Sequence, residues 1–309
     1  MANTREVKTR LRGIRKTRQI TRAMKMVASV KLRHAQAALA NARPYAERMR
    51  ELAANLLANI GQPPADDLFF APRRLKKNLL VIVAADRGLC GSMNANIFRQ
   101  VMKHIDGYKT AAEKPEIELF LIGRKARDFF KSRQNTAAGR PDRNVTHSFA
   151  GGLSFRIRDA VNFGTVAALQ LGKMFYELYG KKEYDRIDVF YNEVISSMQH
   201  HPKHFTLLPF DFSETPWKAA QKKSGNFIFE PAAGEMMADV VSACVVSSVQ
   251  KVLLEAEVAE HAARMLMMDL ATKNADELIT VMQLTMNKIR QLAITRELAD
   301  ITTGAEAVG

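Results

Sequence analysis

Apolar residues follow three different rhythms along this chain, and the changes of rhythm divide it. From Thr4 to Ile60 they recur at helical spacing, first at Val7, Leu11 and Ile14, then at Ile20, Met24 and Val27. Steps of three and four keep each set on one stripe of a helix. The change of phase at Thr17 and Arg18 reads as a stutter, of the kind that interrupts coiled coils. Pro44 predicts a kink or a restart, because it cannot donate to the preceding turn. Gly61, Pro63 and Pro64 predict the end of the helix.

From Asn78 to Pro231 the pattern becomes α/β. Leu79–Val83 predicts a buried strand leading into the turn Asp86-Arg87-Gly88-Leu89-Cys90-Gly91, Glu118–Gly123 a second strand, and Ile187–Tyr191 a third. Helical stretches lie between them, notably Ile157–Tyr179. Strands alternating with helices predict a parallel sheet with crossover helices. Between His200 and Asn226 Pro, Lys and Ser accumulate, which reads as loop with at most short strands. The third segment, Glu235–Thr303, contains neither Gly nor Pro. It permits one helix on the order of 100 Å long. Val245, Val249, Val252, Ala256, Ala259, Ala263, Leu266 and Leu270 alternate spacings of four and three, a sustained heptad seam. Small residues at its middle let a partner helix approach closely. The expected organisation is an N-terminal helix at 1–60, a linker at 61–77, an α/β domain at 78–231 and a C-terminal helix at 232–309. The two terminal helices are expected to pair as an antiparallel coiled coil.

Composition narrows the function classes. Of 309 residues, 47% are apolar and 25% charged, and no unbroken apolar run approaches the length of a membrane span. Leu79–Ala85, the longest such run, suits a strand. The only cysteines, Cys90 and Cys244, lie too far apart to read as a disulfide framework, which favours a reducing compartment. The basic N-terminus lacks the Ser-rich composition of a transit peptide and reads as mature protein. Net charge is +14, and residues 1–50 carry 14 Lys and Arg against only Glu6 and Glu47. A field concentrated in that way implies an acidic partner, whether nucleic acid, anionic lipid or an acidic protein surface.

Candidate chemistry is sparse. Gly88 and Gly91 follow a strand, but no phosphate-binding glycine pattern surrounds them. His200, His201 and His204 cluster around Pro202, with no third ligand evident from sequence, and read as an exposed polar loop rather than a metal site. No nucleophile sits in a recognisable motif, and Glu255 and Glu257 read as solvated helix charge. No catalytic, cofactor or metal site is therefore expected. Two rival readings remain. One is a nucleic-acid-binding coiled-coil protein, disfavoured because the basic helix has a single aromatic, Tyr45. The other is a nucleotide-dependent α/β enzyme.

The longer motifs point elsewhere. Ile20-Thr21-Arg22-Ala23-Met24-Lys25-Met26-Val27-Ala28, continued by Lys31-Leu32-Arg33, Ala35-Gln36 and Ala42-Arg43-Pro44-Tyr45, resembles the N-terminal signature of the gamma subunit of rotary (F-type) ATP synthases, bacterial type. Asp86–Gly91 with Asn94 is similar to that family's strand-turn motif. Glu260–Met265, Ala271–Ala275, Asn287–Gln291, Ile294-Thr295 and Glu297-Leu298 resemble its C-terminal helix. Ala84-Ala85, Ser92-Met93, Met286 and Asp300–Gly304 depart from the family's usual residues.

The resemblance implies an antiparallel coiled coil with a Rossmann-like α/β domain inserted between its helices, and a central rotor shaft without chemistry of its own. That shaft would couple proton or sodium flow to ATP synthesis. The implied partners are the alpha and beta subunits of the hexamer, the epsilon subunit and the membrane c-ring, with no nucleic acid. The implied location is the cytoplasmic face of the bacterial inner membrane, peripheral through the complex. Arg290, Gln291, Thr295 and Glu297 would meet the catalytic subunits, with Arg22 and Lys25 on the facing helix.

Overall fold

The structure is a computed structural model. It describes residues 4–60, 69, 73–108, 115–134, 147–148, 154–161, 167–195, 200–210, 230 and 232–306. Contacts group the chain into two units, Lys31–Ala263 and Met1–Val30 with Arg264–Gly309. The two terminal helices, α1 (Thr4–Ile60) and α5 (Ala233–Glu306), each contribute to both.

The larger unit is built on a sheet in the order β3-β4-β2-β1-β5-β6. Strands β1 (Lys77–Val83), β2 (Glu116–Ile122), β4 (Ser154–Val161) and β5 (Arg186–Val194) run parallel. The short β3 (His147–Ser148) and β6 (His200–Leu208) lie antiparallel at the two edges. A parallel sheet is buried on both faces, and β1 shows it. Leu79, Val81 and Val83 pack towards α4 (Ala167–Gly180) and α5, through Leu171, Phe175, Val245 and Val249. Leu80 and Ile82 pack towards α2 (Met93–Gly107) and α3 (Arg124–Gln134), through Ile97, Val101, Ala126 and Phe130.

Two expectations need correction here. Residues 154–161 form strand β4 rather than the start of a helix, which begins only at Ala167. His200–Leu208 is a nine-residue strand rather than loop. Pro202 is tolerated because β6 is an edge strand, where a missing N–H removes no ladder bond on the outer side. The rest of that stretch, 211–226, lies outside the described residues.

In the larger unit α5 is buried on two sides. Val245, Val249, Val252 and Ala256 belong to the core beneath the sheet. Ala259 and Ala263 pack with Ala85, Cys90 and Met93, beyond the end of β1. Met237, Val240, Val241 and Cys244 instead pack with Ala53, Ala54 and Leu56 of α1. The Cys244 thiol lies 3.3 Å from the carbonyl oxygen of Met49, to which it donates. The stripe from Val245 to Ala263 that reads as a helix-helix seam therefore faces the α/β domain. The stripe that meets α1 runs one residue earlier, through Met237, Val241, Cys244 and Glu255. One residue turns a helix by about 100°, so a shift of one exchanges neighbouring faces. Glu255 is buried rather than solvated, with Arg43 of α1 and Lys251 each at 3.8 Å.

This two-sided burial also explains a property of α5 that a search for unbroken apolar runs misses. It holds a window long and apolar enough, by length and composition, to cross a membrane, yet 61% of that window is buried within the protein.

The new assignment of faces changes what a bulky residue should do. Ala259→Leu is expected to overpack the contact with Cys90 and Met93 and to destabilise the larger unit by about 1–3 kcal/mol. Denaturant unfolding reads this directly. A midpoint equal to that of the parent would show that Ala259 faces open space.

In the smaller unit the ends of α1 and α5 run antiparallel. Arg18 Nη1 donates to Asp276 at 2.9 Å, Thr272 Oγ1 to Thr21 Oγ1 at 2.9 Å, and Lys25 Nζ to Asp269 at 2.5 Å. Val7, Leu11, Ile14, Arg18, Thr21, Lys25 and Ala28 of α1 are buried or half-buried in an unbroken heptad alternation, with Met24 and Ser29 half-buried beside them. The expected stutter is thus absent. The seam turns polar at Arg18, Thr21 and Lys25 while keeping its phase, and the apolar Ile20 and Val27 that suggested a new phase are 59% and 57% exposed. Nor does Pro44 restart the helix, since α1 runs through it. On α5, Met268, Ala275 and Ile279 are buried, whereas Leu266 is half-buried and Leu270 exposed.

Candidate functional site

The glycines of the turn after β1 read as a tight turn rather than a phosphate site, and Asp86 and Asn94 have structural tasks there. Asp86 accepts the backbone N–H of Arg124 at 2.9 Å and so caps the start of α3. Asn94 accepts the Ala85 N–H at 3.0 Å, tying the start of α2 to the end of β1. Cys90 is buried beneath the turn, and Leu89 and Gly91 take the left-handed backbone that the reversal needs. Neither cysteine is in a disulfide and both are buried, and burial pushes the Cys244 thiol up to about 12.

The predicted contact residues fall into two groups. Arg290, Gln291, Thr295 and Glu297 all project from the C-terminal part of α5 and are exposed. So is every other residue from 291 to 299, including Leu292 (61%), Ile294 (51%) and Leu298 (58%), and Ile301 beyond them (66%). Thr295 spends its hydroxyl on the Gln291 carbonyl at 2.9 Å, one turn back. A continuous helix that exposes apolar side chains at this density leaves several large hydrophobic groups in water. That arrangement is the mark of an interaction surface. On α1, Arg22 is exposed, whereas the ammonium of Lys25 is engaged by Asp269 within the helix pair. Lys25 and Lys273 together hold the Asp269 carboxyl below the usual carboxylate range. Sequence reading missed Met26 and Val30, exposed apolar residues on α1 beside Ile20 and Val27. Their signal was an apolar residue off the heptad phase.

The histidines of β6 also need correction. They lie on a strand, and His204 approaches His104 of α2 and Asp188 of β5, partners more than a dozen residues away in sequence.

An antiparallel helix pair, a parallel α/β sheet with a long helix packed on it, and an exposed apolar helix end define a class: a protein that meets its partners through a helix. Known proteins make the class specific. A family model described as ATP synthase matches residues 3–308. The chain is 32% identical to the ATP synthase gamma chain of Pelotomaculum thermopropionicum, covering 100% of both chains. It is 36% identical to that of Geobacter metallireducens, covering 100% of this chain and 99% of the other. Among solved structures, a chain of the Euglena gracilis mitochondrial ATP synthase (OSCP, F1 and c-ring) shares the fold with a TM-score of 0.61 at 20% identity, over 99% of this chain and 94% of that one. The chain belongs to the ATP synthase gamma chain family. These relatives give no support to the nucleic-acid reading.

Proposed function

We propose that this chain is the rotor shaft of a rotary ATP synthase and performs no chemistry itself. The observation that carries the reading is the end of α5, where residues 290–299 are all exposed and Leu292, Ile294 and Leu298, with Ile301 beyond them, stand in water beside charged residues. Such a helix suits the inside of a ring of alternating alpha and beta subunits. Arg290, Gln291, Thr295, Glu297 and Arg22 are the side chains that would meet those subunits. The basic exposed face of α1 suits acidic surfaces on the same ring. The α/β domain would stand outside the ring, against the epsilon subunit and the c-ring, at the cytoplasmic face of the bacterial inner membrane. Proton or sodium flow would turn the c-ring and this domain together. An asymmetric shaft turning inside the ring offers each catalytic subunit a different face in sequence. That is coupling of distant sites through differential contacts.

The test uses the assembled complex and the isolated chain together. Arg290→Ala should lower ATP-driven ion pumping several-fold, because a charge-assisted contact is lost across an interface. The melting temperature of the isolated chain should stay within about a degree of the parent, as expected for an exposed position. Normal pumping in Arg290→Ala and also in a chain ending at residue 289 would sink the proposal.

A further inference from the structure

At the β6 edge of the sheet lies a cluster of polar groups that a rotor shaft does not use. Asp188 of β5 is fully buried. Its Oδ1 accepts from Arg186 Nε and from Thr206 Oγ1, each at 2.9 Å, and its Oδ2 accepts from Asn78 Nδ2 at 2.9 Å. Two imidazoles face the same carboxylate. His204 Nε2 lies 3.3 Å from Oδ1, and His104 Nε2 lies 3.8 Å from Oδ2. Both Nε2 atoms are buried, and neither has a hydrogen-bond partner. A buried polar atom left unpaired costs about 1–3 kcal/mol, so two in one place call for an explanation.

We propose that His104, Asp188 and His204 form a binding site for one transition-metal dication of the zinc class. The donor atoms of the three residues lie within 4.8 Å of one another. Around a tetrahedral zinc with bonds of about 2.0–2.1 Å, neighbouring ligand atoms stand roughly 3.3 Å apart. His204 stands at that distance from Oδ1 and His104 about half an ångström further from Oδ2, so a small rotation of the carboxylate or of one imidazole brings both nitrogens and one oxygen around a single ion. Two imidazoles and one carboxylate select zinc, cobalt or nickel over magnesium or calcium, which prefer all-oxygen sites.

The surroundings hold the ligands in place. Phe190 stacks on His204 with centroids 4.6 Å apart, and Phe190 and Tyr108 both meet His104 edge-on. Asn78, Arg186 and Thr206 orient the carboxylate, while Oδ2, which accepts from Asn78, keeps a lone pair for the ion. Arg186 places a positive charge beside the ion, which makes the site weaker than a closed structural zinc site. The ligands come from α2, β5 and β6, so an ion there would pin α2 to the edge hairpin. The site stands independently of the rotor reading.

Calorimetric titration of the purified full-length chain with zinc chloride tests the site. One equivalent is expected to bind near neutral pH, with a rise in melting temperature. Binding should weaken in acid, because metal binding competes with protons for the imidazole nitrogens. His104→Gln and His204→Gln should each lose tenfold or more, whereas His201→Gln, on the opposite side of the strand, should bind as the parent does. Magnesium should not bind. Absence of stoichiometric zinc binding by the parent, or binding undiminished in both His104→Gln and His204→Gln, overturns the proposal.

Discussion

Gly123→Ala should cost the larger unit on the order of 3 kcal/mol or more, enough to abolish much of its soluble yield. Gly123 joins β2 to α3 with φ +96°, a conformation that L side chains rarely adopt. A Cβ built there would stand 2.0 Å from the Ala84 carbonyl oxygen and 2.8 Å from its carbonyl carbon. Those atoms cannot move aside. Ala84 N–H donates to the Ile122 carbonyl at 2.9 Å, and Lys125 N–H to the Ala85 carbonyl at 3.1 Å, so hydrogen bonds lock the two segments on either side of the glycine. Backbone, not a flexible side chain, meets the added methyl. Urea unfolding of whatever soluble protein remains gives the answer, and a midpoint within error of the parent would show that the turn relaxes without strain.

A smaller loss is expected for Gly172→Ala, for a different reason. Gly172 lies within α4, where alanine would ordinarily be preferred by roughly 0.5–1 kcal/mol. Here its Cβ would meet Val246 of α5 at 2.7 Å from Cα and 2.8 Å from Cγ2. The two helices touch through a gap that fits only hydrogen. Tyr176, one turn further along α4, donates to the Ala238 carbonyl at 3.4 Å, so α5 cannot simply slide away. Overpacking of about 1–3 kcal/mol should outweigh the propensity gain. In the assembled complex the seat of α5 on α4 would loosen, and ATP hydrolysis should then proceed with a lower yield of pumped ions. Unfolding midpoints and the ratio of pumping to hydrolysis measure the two effects. A stabilised variant would mean that propensity wins and that the helices stand further apart.

Much of the architecture was legible because the signals were long. The Gly- and Pro-free stretch after Glu235, the apolar run at Leu79 and the glycine turn behind it each announced an element correctly. The errors have physical causes. Residues 237–263 of α5 are buried on two faces, so apolar periodicity alone cannot say which face meets α1. The most regular stripe, Val245 to Ala263, proved to be the one beneath the sheet, while the true partner stripe includes Cys244 and Glu255. On α1 the reverse happened. Polar residues occupy the seam at Arg18, Thr21 and Lys25, and exposed apolar residues mimic a change of phase. Strand β6 was hidden by Pro202 and its histidines, residues tolerated at an edge but rare in a central strand. The exposed end of α5 was visible only through family resemblance, since a lone helix in water and a buried one share the same short-range pattern. His104 and Asp188 lie too far apart in the chain for any spacing to join them.

The polar stretch of the helix pair has a consequence for sliding. Apolar heptads repeat every seven residues, so a helix displaced by about 10 Å would find equivalent apolar neighbours. The contacts of Arg18, Thr21 and Lys25 do not repeat. Moving α5 by seven residues in one sense would bring Lys25 to Asp276 but set Arg18 against Gln283 and Thr21 against Ile279. In the other sense Thr21 would meet Met265, and Lys25 would lose its acid. The two helices thus behave like the scales of a vernier with a single coincidence. Their axial alignment is encoded in three polar pairs, and because the two ion pairs among them are part-exposed it should soften as ionic strength rises.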